Sequence, residues 1–203
     1  MIRGSSYGEK RELSILDRFG QRLSTRKIIK ALKLVKSKKS LADVGAGFSA
    51  SLTLPFWKLF ETIHLFDVTF DRVDLTSKHH SIFFHEGDVL ETTQQFQEKF
   101  DFIVMNNLLE HVEEPVQLLC QVRKSLSNNG VLYINVPSWR GKMFLEFAAF
   151  RLGLAPREEM EDHKRYYSKR DLWLEMRKAG FSPSKIVVSK SKFGLNISAI
   201  VRN

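Results

Sequence analysis

The chain has 203 residues, of which 43% are hydrophobic, so it is large enough for one globular domain and excludes a disordered polymer. Its net charge of +9 favours phosphate-rich or anionic partners, such as nucleic acid or a bilayer face. The single cysteine excludes an internal disulfide, and the absence of a signal-peptide core or an apolar run of about 18 residues predicts a cytoplasmic protein without membrane spans.

Two short helices are predicted before the first strand. Apolar residues at helical spacing favour one helix from Arg11 to Gly20. Ser24 is the predicted N-cap of a second helix, whose apolar stripe includes Ile28 and Leu32. The pattern leaves open whether these helices pack beside the sheet or across a ligand crevice.

The segment SLADVGAGFSA, residues 40–50, predicts a short buried strand followed by a tight turn. The strand covers Leu41 to Val44, and Gly45 and Gly47 follow it at once. Glycine accepts positive φ and lets a ligand approach the main chain. We expect a helix N-terminus just beyond this turn, with free N–H groups, and the Asp43 side chain at the same crevice.

The next segment, SLTLPFWKLF, predicts a helix that contains Pro55. Because proline is tolerated only in a first turn, this helix either starts late, near Leu54, or is kinked. The apolar run IHLFDV then predicts a second strand that ends at Asp67. An acidic residue about 20 residues after the glycine turn is typical of nucleotide-binding βαβ units, where it meets ribose hydroxyls.

Three further strands are predicted, each with polar residues at its exit. SIFFHEGDVL is a third strand that leads to Asp88, and a fourth strand from Phe100 to Met105 stops at Asn106 and Asn107. A helix follows over EEPVQLLCQVRKSLSNNG, with Asn129 and Gly130 as its C-cap, and VLYINVP is the fifth strand.

The C-terminal third departs from this alternation. Residues 138–162 are unusually apolar, with interspersed cations, and we interpret residues 138–167 as a helical cap inserted over the pocket, or as a packing helix. Ser168 is then the N-cap of a helix that ends at Gly180. The tail predicts a hairpin of two strands, Lys185 to Ser189 and Leu195 to Arg202.

Alternating strands and helices predict an α/β fold with a Rossmann-like, doubly wound, seven-stranded sheet, mostly parallel with an antiparallel C-terminal hairpin strand. Residues 1–203 form a single domain in this interpretation. It comprises N-terminal helices (1–39), a ligand-binding core (40–137), the cap (138–167), and a C-terminal helix with the hairpin (168–203). Because ligands bind at the carboxyl ends of such strands, the polar strand exits predict one site.

The segments DVGAG, LLEHVEEP, NNGVLYINVP and HKRYYSKRDLWLEMRKAGF together resemble the class I S-adenosylmethionine-dependent methyltransferases, in the branch with an LEHV-type segment. The resemblance covers most of the chain, from Lys39 to Val201. It implies S-adenosylmethionine as the cofactor and S-adenosylhomocysteine as the product. The third glycine of the dinucleotide fingerprint is missing after Gly47, which matters less for a cofactor without phosphate.

The resemblance also implies the residues that hold the cofactor. The methionine part and its amino group would be lined by Asp43, Gly45, Ala46 and Gly47. The ribose hydroxyls would be held by Asp67, and the adenine by Val68, Asp88 and Val89. The region near the sulfonium would be lined by Asn106, Asn107 and Leu108.

Methyl transfer to a hydroxyl requires a base that accepts its proton, and histidine suits that role near neutral pH. His111 and His163 are the two candidates for this catalytic base. For His111 the alternatives are shaping the helix start or contacting the cofactor, and for His163 a structural or surface role. No cysteine and histidine set has metal-ligand spacing, so no metal site is predicted.

The predicted enzyme methylates a small, lipid- or sugar-linked acceptor with a hydrophobic part, at oxygen, by in-line transfer. The apolar stretch 139–154 allows peripheral membrane contact. The alternatives are an RNA methyltransferase, which the charge suggests but the absent Asn-Pro-Pro-aromatic motif disfavours, and a non-catalytic cofactor-binding module. A nicotinamide dehydrogenase is a minor further alternative.

Overall fold

A computed structural model describes residues 15–144 and 164–203, with side chains from residue 20 onward. The strands are β1 (Ser40–Val44), β2 (Thr62–Asp67), β3 (Ile82–Glu86), β4 (Phe100–Asn106), β5 (Leu126–Pro137), β6 (Ile186–Ser191) and β7 (Asn196–Arg202). The α-helices are α1 (Ile15–Leu32), α2 (Arg72–Thr76), α3 (Val89–Thr92), α4 (Pro115–Ser125) and α5 (Lys169–Lys178). Short 3₁₀ helices cover Leu54–Leu59, Pro183–Lys185 and Lys192–Gly194, and residues 139–144 are helical.

All seven strands form one sheet in the order β3-β2-β1-β4-β5-β7-β6. Strands β1 to β5 are parallel, and β7 lies antiparallel between β5 and β6. The strand order reverses between β1 and β4, where Asp43 pairs with Val104 and Val44 with Met105. The predicted seven-stranded Rossmann-like fold is therefore confirmed, and its switch point lies beside the glycine turn.

Helices cover both faces of the sheet because neighbouring strand residues point to opposite sides. One buried cluster joins Ile28 of α1 and Trp57 of the 3₁₀ helix with alternate strand residues such as Val104. The other joins Leu119 of α4 and Met176 of α5 with the intervening strand residues. The inner strands β1, β2 and β4 are thus buried on both faces, which explains their almost uninterrupted apolar sequences.

The predicted N-cap at Ser24 is wrong. Helix α1 runs through this position without a break, and the Ser24 side chain is buried one turn before Ile28. Packing of the continuous inward stripe outweighs the preference of serine for a helix end. Residues 11–14, where the first predicted helix begins, lie outside the described residues.

The predicted helix N-terminus directly beyond the glycine turn is also wrong. The next helix is the 3₁₀ helix that starts at Leu54, with Pro55 in its first turn, so the late start is the correct alternative. The main-chain N–H groups of Gly45 and Ala46 instead donate to the carbonyl of Phe66 in β2, at 2.8 and 3.2 Å. Among the described helices, none therefore begins directly at the turn.

Asn129 and Gly130 do not cap α4, which ends at Ser125 immediately before β5 begins. They lie in a bulge of β5, where the pairing with β4 jumps from Phe100–Leu126 to Phe102–Val131. The left-handed φ of 69° at Asn129 serves this bulge. His85 lies in β3, within the segment predicted as the third strand.

The C-terminal elements agree with the sequence. Ser168 and Asp171 form a capping box at the start of α5, and Gly180 follows its last turn with a φ of +89°. The predicted hairpin is present as β6 and β7. Within the described ranges, the helices are all too short or too polar to cross a membrane.

Candidate functional site

Asp43 is a nearly fully buried carboxyl group in β1, on the sheet face covered by the 3₁₀ helix. Its Oδ2 accepts a hydrogen bond from the Thr53 hydroxyl at 2.6 Å, and the Thr53 oxygen in turn accepts from Trp57 Nε1 at 3.1 Å. Burial raises the pKa of Asp43 to about 7, against the lowering effect of the Thr53 bond and with a smaller contribution from the negative charge of Asp67. The group is therefore poised to ionise when a cation approaches.

The glycine turn forms a wall without side chains beside this carboxyl group. Gly45 and Gly47 have φ values of 78° and 74°, a region that favours glycine. A Cβ at Gly45 would lie 3.1 Å from the Leu108 side chain, so the turn packs directly against the segment that follows β4. Gly47 is buried, whereas Gly45 and Ala46 remain partly accessible.

Asp67 ends β2 and is held by the main chain on both of its oxygens. Oδ2 accepts from Gly47 N at 2.8 Å, and Oδ1 accepts from Val68 N at 2.7 Å. An ionised carboxylate offers about four acceptor positions, and two of them are used by these main-chain bonds. The backbone thus orients Asp67 beside the glycine turn.

Asp88 follows β3 and acts as the N-cap of α3. Its Oδ1 accepts from Leu90 N at 2.7 Å, and this bond occupies one of its two oxygens. Val89 is the first residue of α3, and Val68 follows β2, and both side chains are half-buried. The ends of β2 and β3 therefore bring together two apolar side chains, Val68 and Val89, and one acidic group, Asp88.

An amide network, which the sequence did not predict, supports the end of β4. Asn135 Nδ2 donates to Asn106 Oδ1 and to Asn107 Oδ1, each at 3.1 Å. Ser191 Oγ donates to Asn135 Oδ1 at 2.9 Å, and Asn196 Nδ2 donates to Asn107 Oδ1 at 3.3 Å. Asn135 was detectable as the lone amide inside the apolar run VLYINVP.

The segment LLEHVEEP contacts the described end of HKRYYS. Lys164 N donates to the Glu110 carbonyl at 3.0 Å, and Lys164 Nζ pairs with Glu113 at 2.8 Å. The buried Tyr167 hydroxyl donates to Glu175 Oε2 at 3.1 Å, and burial raises the pKa of this phenol. The two segments therefore form one side of the site together.

His111 is half-buried in the turn between β4 and α4, where its backbone N–H donates to the Leu108 carbonyl at 3.0 Å. It lies four residues before α4 begins at Pro115. His163, the other predicted base, and most of the predicted cap lie outside the described residues. Among residues 15–144 and 164–203, no three metal-ligating side chains gather at one place.

The chemistry of this site fits a cationic nucleoside. Asp43 is the penultimate residue of β1, Asp67 ends β2 and Asp88 follows β3, and these adjacent parallel strands bring together acceptors for hydroxyl groups, an ammonium and an exocyclic amine. The positive φ values at Gly45 and Gly47 leave the wall between them free of side chains. In the part of the chain that the structure describes, no helix begins directly after the turn, where a diphosphate would be received.

Comparison with known proteins gives one family match. A family profile described as a methyltransferase domain matches residues 16–185, which is most of the chain. Among curated protein sequences, none matches.

Solved structures share the fold at low sequence identity. A possible exported protein from Bordetella parapertussis has a TM-score of 0.69 and 15% identity, with 96% of this chain and 75% of that chain covered. The DszA carbon methyltransferase has a TM-score of 0.66 and 14% sequence identity. The match covers 95% of this chain and 55% of that chain, so the present chain spans about half of it. A SAM-dependent methyltransferase from Archaeoglobus fulgidus has a TM-score of 0.64 and 13% sequence identity, and the match covers 90% of this chain and 94% of that chain.

Proposed function

The chain belongs to the class I S-adenosylmethionine-dependent methyltransferase family, and we propose that it methylates an oxygen of a small acceptor with a hydrophobic or sugar part. The observation that carries the proposal is the set of three aspartates at consecutive strand ends beside the glycine turn. When bound, S-adenosylmethionine supplies an electrophilic methyl group on a positively charged sulfur.

The residues of this chain have separate roles in the proposal. Asp67, oriented by Gly47 N and Val68 N, accepts hydrogen bonds from the ribose hydroxyls. Asp43 ionises and balances the ammonium of the methionine part, since a nearby cation favours its charged form. Asp88 accepts from the adenine amine through the oxygen that does not cap α3.

The proposed base is His111, with His163 as the second candidate. The turn between β4 and α4 places His111 three residues after Leu108, which packs against the glycine turn. A neutral imidazole there removes the proton from an acceptor hydroxyl as the oxygen becomes nucleophilic.

Binding of S-adenosylhomocysteine, measured by calorimetry, tests the cofactor assignment. Asp67→Ala should lose affinity by about 1–3 kcal/mol, because it removes charge-assisted hydrogen bonds to two hydroxyls. The matched control is Glu86→Ala on the adjacent strand, where Glu86 pairs in register with Asp67 but forms an ion pair with Arg72 at 2.9 Å. Equal affinities of Asp67→Ala and the unaltered chain would contradict the placement.

Turnover with methyl-labelled donor tests the reaction. Label transferred to hydroxyl-bearing lipids or glycosides, and lost in His111→Ala with cofactor binding retained, supports O-methylation. Retained binding without label transfer to any acceptor pool indicates a non-catalytic module instead.

An RNA acceptor is the second candidate, because residues 22–39 contain eight lysines and arginines and no acidic residue. RNA affinity that falls steeply with salt would favour it. Absence of RNA binding at low salt would exclude it.

A further inference from the structure

The hairpin between β6 and β7 ends in an exposed phenylalanine. Phe193 is 83% exposed at the tip, between Lys192 and Gly194. These three successive residues have φ values of 47°, 57° and 89°, a conformation that disfavours bulky side chains. A polar residue or glycine would fit the turn better, so an exposed phenylalanine here needs a reason other than folding.

A second exposed apolar group lies against this tip. Trp139, Met143 and Phe144 are 55%, 70% and 47% exposed on the helical residues 139–144. The two elements are joined by Ser138, whose hydroxyl donates to the Gly194 carbonyl at 2.7 Å and whose N–H donates to the Leu195 carbonyl at 2.9 Å. We call the surface formed by residues 139–144 and 190–194 the tip face.

The tip face carries positive charges and no negative ones. Residues 138–144 and 190–195 contain four cations and no acidic residue: Arg140, Lys142, Lys190 and Lys192. A Cβ at Gly194 would lie 3.8 Å from both Arg140 Nη1 and the Lys190 side chain, so these two cations flank the tip. Lys142 Nζ lies 5.8 Å from the Trp139 ring centre. Aromatic residues among lysines and arginines are typical of surfaces that enter the interfacial region of a bilayer.

The tip face lies at the same edge of the sheet as the strand ends of the site. Strand β7 starts there at Asn196, which pairs in register with Pro137 at the end of β5. Asn196 also donates to Asn107 at the end of β4. A surface against the tip face would therefore lie beside the mouth of the site.

We propose that the tip face docks on the surface of an anionic lipid bilayer, with Phe193 and Trp139 in the interfacial region and the flanking cations against lipid headgroups. Apolar insertion and electrostatic attraction act together at such a surface, and neither alone gives stable binding. The complementary charge favours an anionic bilayer over a second copy of this chain, which would bring like charges together.

Sedimentation of the full chain with vesicles tests this docking and needs no methyl donor, so its outcome is independent of the proposed function. Vesicles of phosphatidylcholine with phosphatidylglycerol should bind the protein, pure phosphatidylcholine should bind it weakly, and added salt should weaken binding. Brominated lipid in the same vesicles should quench Trp139 fluorescence, a signal that Trp139→Phe removes.

Two variants with matched controls locate the surface. Phe193→Asn should weaken vesicle binding about tenfold, because it removes the apolar anchor, and asparagine tolerates the left-handed tip. Val73→Asn removes a residue that is 87% exposed on α2 and should change nothing. Lys190→Glu should weaken binding severalfold and reduce its salt dependence, whereas Lys185→Glu, just before the opposite end of β6, should have a smaller effect.

Several outcomes would overturn the proposal. They are absence of binding to anionic vesicles at low salt, equal effects of Phe193→Asn and Val73→Asn, or equal effects of the two lysine substitutions. A dimer in solution that Phe193→Asn converts to a monomer would assign the face to a second copy. RNA binding that Lys190→Glu abolishes, without vesicle binding, would assign it to nucleic acid.

Discussion

Two buried aspartates in neighbouring strands have opposite surroundings. Asp101 lies near the start of β4 and accepts four hydrogen bonds, from Ser37 Oγ, Ser127 Oγ and the main-chain N–H groups of Lys39 and Ser40. Asp43, in the adjacent β1, accepts one, from Thr53. Burial raises the pKa of Asp101, but the four bonds outweigh it and hold the pKa below its ordinary value, whereas the pKa of Asp43 rises to about 7.

The difference indicates that the Asp101 carboxylate stabilises the fold, whereas the Asp43 carboxyl group is suited to binding a ligand. The donors to Asp101 come from the chain around the starts of β1 and β5, so its charge is satisfied within the protein. Asp43 has a single donor and a second acidic group nearby. A buried carboxyl with so few donors is stabilised as an anion only by an external cation, which supports its proposed role at the ammonium.

Removing the charge at Asp101 should give the largest effect on stability. Asp101→Asn should lower the free energy of unfolding by about 3 kcal/mol, because an amide nitrogen then faces N–H and hydroxyl donors. Urea denaturation measures the loss, with the exposed Asp74→Asn as the control. Affinity for S-adenosylhomocysteine, measured on folded protein, should not change, and a large loss of affinity would break the comparison.

The isosteric change at Asp43 should have the reverse pattern. Asp43→Asn should lower S-adenosylhomocysteine affinity by about 2 kcal/mol, because the ammonium loses its counter-charge. Since the folded-state pKa of about 7 lies above the unfolded value, ionisation opposes folding as pH rises from about 4 to 7. The variant should therefore be at least as stable as the unaltered chain at pH 8. A destabilised variant with normal affinity would show that Asp43, like Asp101, stabilises the fold and does not bind the ligand.

A pair of histidines, His64 buried and His85 half-buried, makes stability depend on pH in the acid range. His64 Nδ1 and His85 Nε2 are 3.0 Å apart among phenylalanine rings, and burial lowers the pKa of both, for His64 to about 3. The unfolded chain then binds more protons below about pH 6.5, so the free energy of unfolding should fall as pH decreases to 5, with a slope for His64 that approaches about 1.4 kcal/mol per pH unit. Urea titrations across this window should show a smaller slope in His64→Phe than in the unaltered chain, and equal slopes would contradict the prediction.

The smallest expected effects compare two glycines with positive φ. Gly45→Ala meets Leu108 at 3.1 Å, and Gly180→Ala meets Arg123 Nε at 3.1 Å, so each should lower stability by about 1 kcal/mol. Gly45→Ala alone should also weaken S-adenosylhomocysteine binding. Equal affinities of the two variants for S-adenosylhomocysteine would show that the glycine turn is not part of the binding site.

Much of the sheet was predictable because each strand is an apolar run bounded by glycine or polar residues. Asp67 and Asp88 could be placed at strand ends from spacing alone. The buried Thr53 and Trp57 were not predictable, because their contacts with Asp43 depend on where the 3₁₀ helix begins. Ser24 shows the same limit, since its local preference for a helix end was outweighed by tertiary packing.

The amide network depends on contacts between distant segments, which local patterns do not report. Asn196 and Ser191 lie more than 50 residues beyond their partners, with separations of 89 and 56. Only the completed sheet brings these residues to the end of β4.

The position of β7 between β5 and β6 sets an order of assembly. During synthesis, β6 leaves the ribosome before β7 and has no strand to pair with, while β5 keeps one open edge. Insertion of β7 joins both at once and brings Asn196 to Asn107. Nascent chains halted before β7 should therefore lack cofactor affinity, and the unpaired edge of β5 is the surface that a chaperone would need to shield.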